Sequence, residues 1–360
     1  MQRTFLNILF ILLLAGLAGC GSAPAAVATQ PAAGGETWPT QGWRTSTPDE
    51  QGMDPVNLDR VAQAVKDPIL RLNSLLVIRH GAIVSETYTG VNDQKTRHEL
   101  YSVTKSFTST LVGIALDQAL IDRLDHRVLD YFPDLKVNNL DESKSGMTLE
   151  DLLTMRAGLD WKEGDPINQA MYMSKDWTQF VLDIPMSTQP GEKFLYCTGC
   201  SHVLSAVVRQ VVKKNVGLFA GQVLFTPLGI TNYNWDTDSK GIPIGGWGLH
   251  LTSRDMAKLG YLFLHNGSWE GKQIVSSSWV KAATQKHTGT EGTLGYGYQW
   301  WIDEDGAGYS ARGRYGQIIY VVPKLDLIVV ATAQAENDSG IFKLINEEII
   351  PSIKDGSSDN

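Results

Sequence analysis

The chain has 360 residues, 42% of them hydrophobic, 19% charged and 9% aromatic, which is enough apolar material for one large domain or two ordinary ones. Thirty-one Lys and Arg against 39 Asp and Glu leave a net charge of −8, a balance that disfavours nucleic acid as a partner because phosphate binding needs a basic surface. Three cysteines exclude a disulfide-built scaffold, and collagen-like, disordered and multi-span membrane classes are out on composition.

The first residues read as an address. A short basic start ends at Arg3, residues 5–14 (FLNILFILLL) are an almost unbroken apolar run, and small residues lead to Cys20. The run is too short to span a bilayer as a stable helix and has the shape of a secretory signal over residues 1–19. Leu17-Ala18-Gly19-Cys20 resembles the lipobox of bacterial lipoproteins. That resemblance implies lipidation of Cys20 and an exported protein held by acyl chains to a membrane face, toward the periplasm or the cell exterior. Residues 20–42 are then the lipidated N-terminus and a flexible tether, with 21–37 rich in Ala, Gly and Pro.

One body is expected over 43–352, followed by a polar tail at 353–360. Residues 57–72 carry Leu58, Val61, Val65 and Leu70 at helical spacing. Residues 74–80 and 83–88 read as a β-hairpin with Gly81 at the turn. The middle reads mostly helical, with hydroxyl-acid capping pairs at Thr148/Asp151 and Thr252/Asp255. Strands return at 297–302, 317–322 and 327–331, and a helix over 340–350 closes the body. Strands at both ends with helices between predict an α+β fold: an antiparallel sheet flanked by helices, with an inserted all-helical subdomain over roughly 115–265.

Chemistry starts at Ser102-Val103-Thr104-Lys105, an S-x-x-K. Positions i and i+3 share a helix face, so the lysine reaches the serine oxygen. A desolvated lysine of lowered pKa can take the proton that keeps a serine hydroxyl a poor nucleophile. The pattern recurs at Ser278/Lys281, but there it lies in a polar helix, whereas the helix after Ser102 has few charges and a buried face of Phe107, Leu111 and Ile114. A lysine in the first turn of a buried helix is costly unless paired or functional.

Leu100-Tyr-Ser-Val-Thr-Lys-Ser-Phe107 resembles the active-site segment of serine hydrolases of the β-lactamase/penicillin-binding-protein fold, in particular the class C-like branch with its esterases, D-amino-acid peptidases and 6-aminohexanoate-dimer hydrolases. Residues 148–159, 225–230, 248–258 and 296–301 match in the same order, so the likeness covers about 43–345. It implies a β-lactamase/transpeptidase-like fold and acyl-enzyme chemistry with no cofactor or metal. In the family's Y-x-N motif, Tyr196 takes the tyrosine's place as a phenolate-leaning general base, and Thr198 stands where asparagine is usual. The K-T-G motif is missing in its usual form. Counting back from the strand at 318–323 places it on Gly308-Tyr309-Ser310, with the N–H groups of Ser102 and Ala311 as the oxyanion hole. His287-Thr288-Gly289 is the competing placement. Thr198, Tyr309, Ser310 and Arg312 are then the substrate-binding candidates, Arg312 or Arg314 substituting for the lost cation. Thr198 and the missing lysine favour small esters or amides over β-lactams. A 6-aminohexanoate-oligomer, D-amino-acid amide or β-lactam hydrolase remains an alternative, as does an inactive relative that binds peptidoglycan or a partner protein.

Cys197-Thr-Gly-Cys200 has redox spacing but follows the tyrosine motif, and reads as two packed or crosslinked cysteines. No two of the seven histidines sit at zinc-like spacing, so no metal is implied. The α/β-hydrolase alternative lacks its G-x-S-x-G elbow.

Overall fold

The computed structural model describes residues 38–354; the signal-like run, Cys20 and most of the tether lie outside them, as does most of the polar tail. A nine-stranded sheet organises the body. Its strands in chain order are β1 (Arg44–Thr45), β2 (Leu72–Arg79), β3 (Ala82–Tyr88), β4 (Thr288–Gly289), β5 (Gly295–Tyr296), β6 (Trp301–Ile302), β7 (Tyr309–Gly313), β8 (Gln317–Val322) and β9 (Leu327–Ala333). Their spatial order is β1-β3-β2-β9-β8-β7-β6-β5-β4. All neighbours run antiparallel except β1 and β3. The α+β class read from strands at both ends of the chain is the one observed.

Alternation along the central strands splits the core into two layers. On β9, Ile328 and Val330 face the large helical layer, while Leu327, Val329 and Ala331 face the layer of α1 (Pro55–Val65) and the C-terminal helix. These strands are buried on both faces, so they read as nearly continuous apolar runs. The β2–β3 hairpin turns through His80 and Gly81, with φ of 48° and 68°, the left-handed pair that a tight two-residue hairpin requires.

On the other face sits α2 (Thr104–Asp117), buried from Thr104 to Ala115. A helix buried all round must satisfy its hydroxyls internally. Ser106 donates to the Gln299 carbonyl at 2.7 Å, Ser109 to that of Tyr298 at 2.7 Å, and Thr108 to that of Gly245 at 2.9 Å. The acceptors at Tyr298 and Gln299 explain why the strand expected over 297–302 shortens to Trp301–Ile302. Gln299, at φ 64°, leaves the sheet, accepts from Ser201 at 2.6 Å and donates to the Leu152 and Leu153 carbonyls. It thereby pins α2 to the helices between it and the C-terminal strands. Thr148 and Thr252 cap their helices with reciprocal acids, Asp151 and Asp255, as their spacing predicts. The middle is mostly helical, yet it also contributes two strands to a small sheet of Arg97–Glu99, Asn234–Trp235 and Leu249–Thr252. The last helix is regular only over Ser339–Leu344 and widens to a π turn over Ile345–Ile349.

Candidate active site

Ser102 lies in the tight turn Tyr101–Val103 that leads into α2. Tyr101 has φ 45°, a left-handed conformation that a bulky side chain rarely adopts, and the next residue projects into a cleft of about 500 Å³. Lys105, one turn on, is 1% exposed. Its Nζ donates to Ser102 Oγ at 2.9 Å and to the Gly246 carbonyl at 2.9 Å. Burial lowers this ammonium to about pH 7, against an opposing pull from the Glu163 carboxylate. A lysine titrating there is neutral in a substantial fraction of molecules at physiological pH and can accept a proton.

Tyr196 immediately precedes the Cys197–Thr198 entry to the helix Thr198–Val212, here α4, after α3 (Asp165–Met173). Its ring stacks on Trp301 at 5.7 Å, and the Lys105 ammonium lies 4.9 Å from its centroid. Burial raises the phenol far above its ordinary value, with Glu163 pushing the same way and a hydrogen bond to Ser102 pulling back. That direction runs against the phenolate role expected from the sequence. One cation faces this ring, and that cation is the group with the lowered pKa. The two shifts run in opposite directions, the lysine's downward and the tyrosine's upward, each caused first by burial.

Cys197 and Cys200 form a disulfide with Cα atoms 5.2 Å apart, buried at 2% and 0% exposure. Thr198 lines the cleft, and both its N–H and its hydroxyl donate to Glu163, each at 2.9 Å. Glu163 also accepts from Trp161 Nε1 at 2.7 Å and Asn168 Nδ2 at 2.9 Å.

The strand side departs from the sequence reading. β6 pairs with β7 only through Tyr309 and Ser310, and the Asp303 N–H reaches the Gly308 carbonyl. In that phase the Ser310 backbone faces β6 and the Ala311 backbone faces Ile319 of β8, leaving the N–H of Arg312 on the edge that β6 vacates. The residue abutting the nucleophile is Gly313: a Cβ there would lie 2.3 Å from the Leu100 carbonyl and 3.2 Å from the Ser102 nitrogen. Ala311 is thus not placed to share an oxyanion with Ser102, because its N–H is turned into the sheet. Tyr309 and Ser310 are buried, Tyr309 packing edge-on against Trp300 at 5.4 Å. Arg312 points to the opposite face of the sheet, where it lies 3.9 Å over the Phe342 ring and donates to Ser310 Oγ at 2.8 Å. None of these three side chains lines the cleft; Arg314 does, paired with Asp165 at 2.8 Å. His287-Thr288-Gly289 lies on and beside the outermost strand β4, three strands from β7.

Glu163, Gly246 and Glu99 line the cleft without having been singled out in the sequence. Gly313 was legible in principle, as a glycine in an otherwise well-formed strand. Among the described residues, no cluster of His, Cys, Asp and Glu could hold a metal ion, and no helix is long and apolar enough to cross a membrane.

Comparison with known proteins agrees with this architecture. The 6-aminohexanoate-dimer hydrolase of Paenarthrobacter ureafaciens is 26% identical over 328 residues, covering 82% of each chain. A Bacillus anthracis protein provisionally described as a 6-aminohexanoate-dimer hydrolase superposes with a TM-score of 0.71 at 22% identity, over 88% of each chain. EstCE1, a hydrolase with promiscuous acyltransferase activity, superposes with a TM-score of 0.69 at 19% identity, over 83% of this chain and 98% of its own. The family model for Beta-lactamase matches residues 71–349, well over half of the sequence. The chain belongs to the beta-lactamase family.

Proposed function

We propose that this chain is a serine hydrolase working through a covalent acyl-enzyme on small esters or amides. The observation that carries the reading is the 2.9 Å contact between Ser102 Oγ and a buried lysine whose ammonium titrates near pH 7. In this mechanism Ser102 Oγ attacks the substrate carbonyl carbon while its proton passes to neutral Lys105. The oxyanion is held by the Ser102 N–H and by edge N–H groups of Arg312 and Arg314, which flank Gly313 and take the place foreseen for Ala311. Collapse breaks the bond to the leaving group, which leaves with a proton relayed through the Tyr196 hydroxyl. Water then attacks the carbonyl carbon of the Ser102 ester and gives a proton to neutral Lys105. That proton returns to Ser102 Oγ as its bond to the acyl carbon breaks, releasing the carboxylic acid and freeing the serine.

The cleft supports a substrate class as well. Glu99, Glu163 and Asp165 line it, while its exposed guanidinium, Arg314, is already paired with Asp165. A carboxylate such as a β-lactam carries is repelled there, whereas a neutral ester or an amine-bearing amide is accepted. The dimer in the name of the Paenarthrobacter relative is an amine-bearing linear amide, but it also ends in a carboxylate, so the likeness supports the amide and the amine and not the exclusion of an acid. Assay of p-nitrophenyl acetate, an aminoacyl amide panel and nitrocefin, on wild type and Ser102→Ala, tests the reading. Ser102-dependent turnover of ester or amide is expected; equal inactivity of both proteins favours the inactive binding relative, and turnover confined to nitrocefin contradicts the substrate class.

Export and anchoring through lipidated Cys20 belong to the same proposal. They rest on the 17–20 sequence and are tested by fractionation and intact mass of Cys20→Ser. Release of that variant from membranes is expected, and its retention contradicts the anchor.

A further inference from the structure

Thr198 lies two residues after Tyr196 and beside the cleft floor, and its polar groups are committed elsewhere than to Lys105. Its N–H and hydroxyl both donate to the Glu163 carboxylate, one to each oxygen, at 2.9 Å. The same two oxygens accept from Trp161 and Asn168, so Glu163 joins the loop before α3 to the first turn of α4. A carboxylate is well placed there, because the first N–H groups of a helix lack intrahelical partners. Thr198 in turn packs against Gly246: a Cβ on that glycine would meet Thr198 Cγ2 at 2.7 Å and Lys105 Nζ at 3.5 Å. The Gly246 carbonyl is one of the two acceptors of Lys105. The chain of contact therefore runs from Glu163 through Thr198 to both proton-handling groups, Tyr196 along the backbone and Lys105 through Gly246.

We propose that Glu163 is a positioning residue of the reaction, holding Thr198 so that Tyr196 and the Gly246 carbonyl keep Lys105 against Ser102. The proposal rests on the serine-hydrolase reading. The Glu163 carboxylate also acts electrostatically on both Lys105 and Tyr196. The titratable groups facing Lys105 are Tyr196 from the α4 entry and Glu163 from the loop before α3, and Gly246 offers only its carbonyl; Glu99, Asp165 and Arg314 line the cleft around them. The sign follows: the Glu163 charge favours protonated Lys105, so removing it lowers the lysine's pKa and moves the acid limb of the activity profile to lower pH.

Glu163→Gln keeps the size but offers a single acceptor oxygen to two Thr198 donors. The expected result is a fall of about 10- to 100-fold in kcat on p-nitrophenyl acetate with KM within about twofold, and an acid limb displaced downward. Thr198→Ser drops the methyl group that packs on Gly246 but keeps both donors and the Thr198 carbonyl, which also borders Gly246 (3.0 Å from a Cβ placed there). It is expected to stay within about threefold of wild type, and Thr198→Val to lose about tenfold, since it keeps only the N–H donor. Near-ultraviolet circular dichroism of each variant reports whether the fold persists. Should Glu163→Gln unfold, the Thr198→Ser and Thr198→Val pair decides, and equal activity of the two overturns the proposal. It is also overturned if folded Glu163→Gln keeps wild-type kcat and an unmoved acid limb, or if KM alone rises, which would make Glu163 a substrate contact. Absence of Ser102-dependent turnover in the wild type would instead overturn the hydrolase reading beneath it.

Discussion

In the proposed mechanism the helical wall and the strand wall of the cleft contribute different parts of one reaction centre. On the helical wall the working atoms are side-chain atoms: Ser102 Oγ, Lys105 Nζ and the Tyr196 hydroxyl, held by a buried helix and by an α4 entry that a disulfide and Glu163 both tie down. On the strand wall the working atoms are backbone N–H groups, and the side chains of β7 are spent on packing, Tyr309 against Trp300 and Arg312 against Phe342. Side-chain chemistry demands particular residue types, whereas a backbone donor demands only that the chain come close and that no Cβ intervene. Gly313 is where the second wall meets that demand.

This contrast predicts a ranking of substitutions. Lys105→Met removes the proton acceptor and is expected to lower kcat by about 10³-fold or more. The same variant should be more heat-stable than wild type. A lysine whose folded pKa is depressed to about 7 from 10.5 costs stability in full below pH 7, and the cost fades as pH rises toward the unfolded value. The gain in Tm is therefore expected to be largest at pH 6 and smaller at pH 9. A gain independent of pH would show that this lysine is not held neutral.

Gly313→Ala strikes the strand wall with a single methyl group that has 2.3 Å to the Leu100 carbonyl. Displacement of the edge from Ser102 is expected to cost about 10²-fold in kcat, the scale of losing one oxyanion donor, with the circular dichroism spectrum preserved. A loss no larger than twofold would place the oxyanion elsewhere. In the wild type, kcat/KM on a neutral ester should rise through pH 7 as Lys105 loses its proton; a rate flat from pH 5 to 8 would remove Lys105 as the base. Arg312→Ala is the smallest change. It is expected to leave kcat within about twofold and to cost about 1 kcal/mol through lost packing on Phe342, read by urea unfolding. A large loss of activity would return Arg312 to the cleft.

The same contrast explains what was legible in the sequence. Ser102 and Lys105 stood out because a lysine in the first turn of an apolar helix requires a reason, and Tyr196 because its segment resembles the family's Y-x-N motif; the structure brings the three together. The sheet was legible from the apolar runs at 74–80, 317–322 and 327–331, which the structure extends to Leu72–Arg79, Gln317–Val322 and Leu327–Ala333. The strand wall was not, because counting along β7 fixes a register only if the ladder phase is known, and that phase depends on where β6 stops pairing. Gln299 at positive φ ends that pairing early for the sake of α2, a tertiary demand that no local pattern carries. Glu163 was hidden for a similar reason: its partner Thr198 is 35 residues away.

The central claim is that Ser102 forms a covalent acyl-enzyme with Lys105 as its base. The direct measurement is intact-mass and peptide-mass analysis after brief treatment with a fluorophosphonate across pH 5 to 9. One adduct per chain, mapped to Ser102, absent in Ser102→Ala and forming faster as pH rises through 7, is the predicted result. No adduct on Ser102, or equal labelling of the wild type and Ser102→Ala, would contradict it.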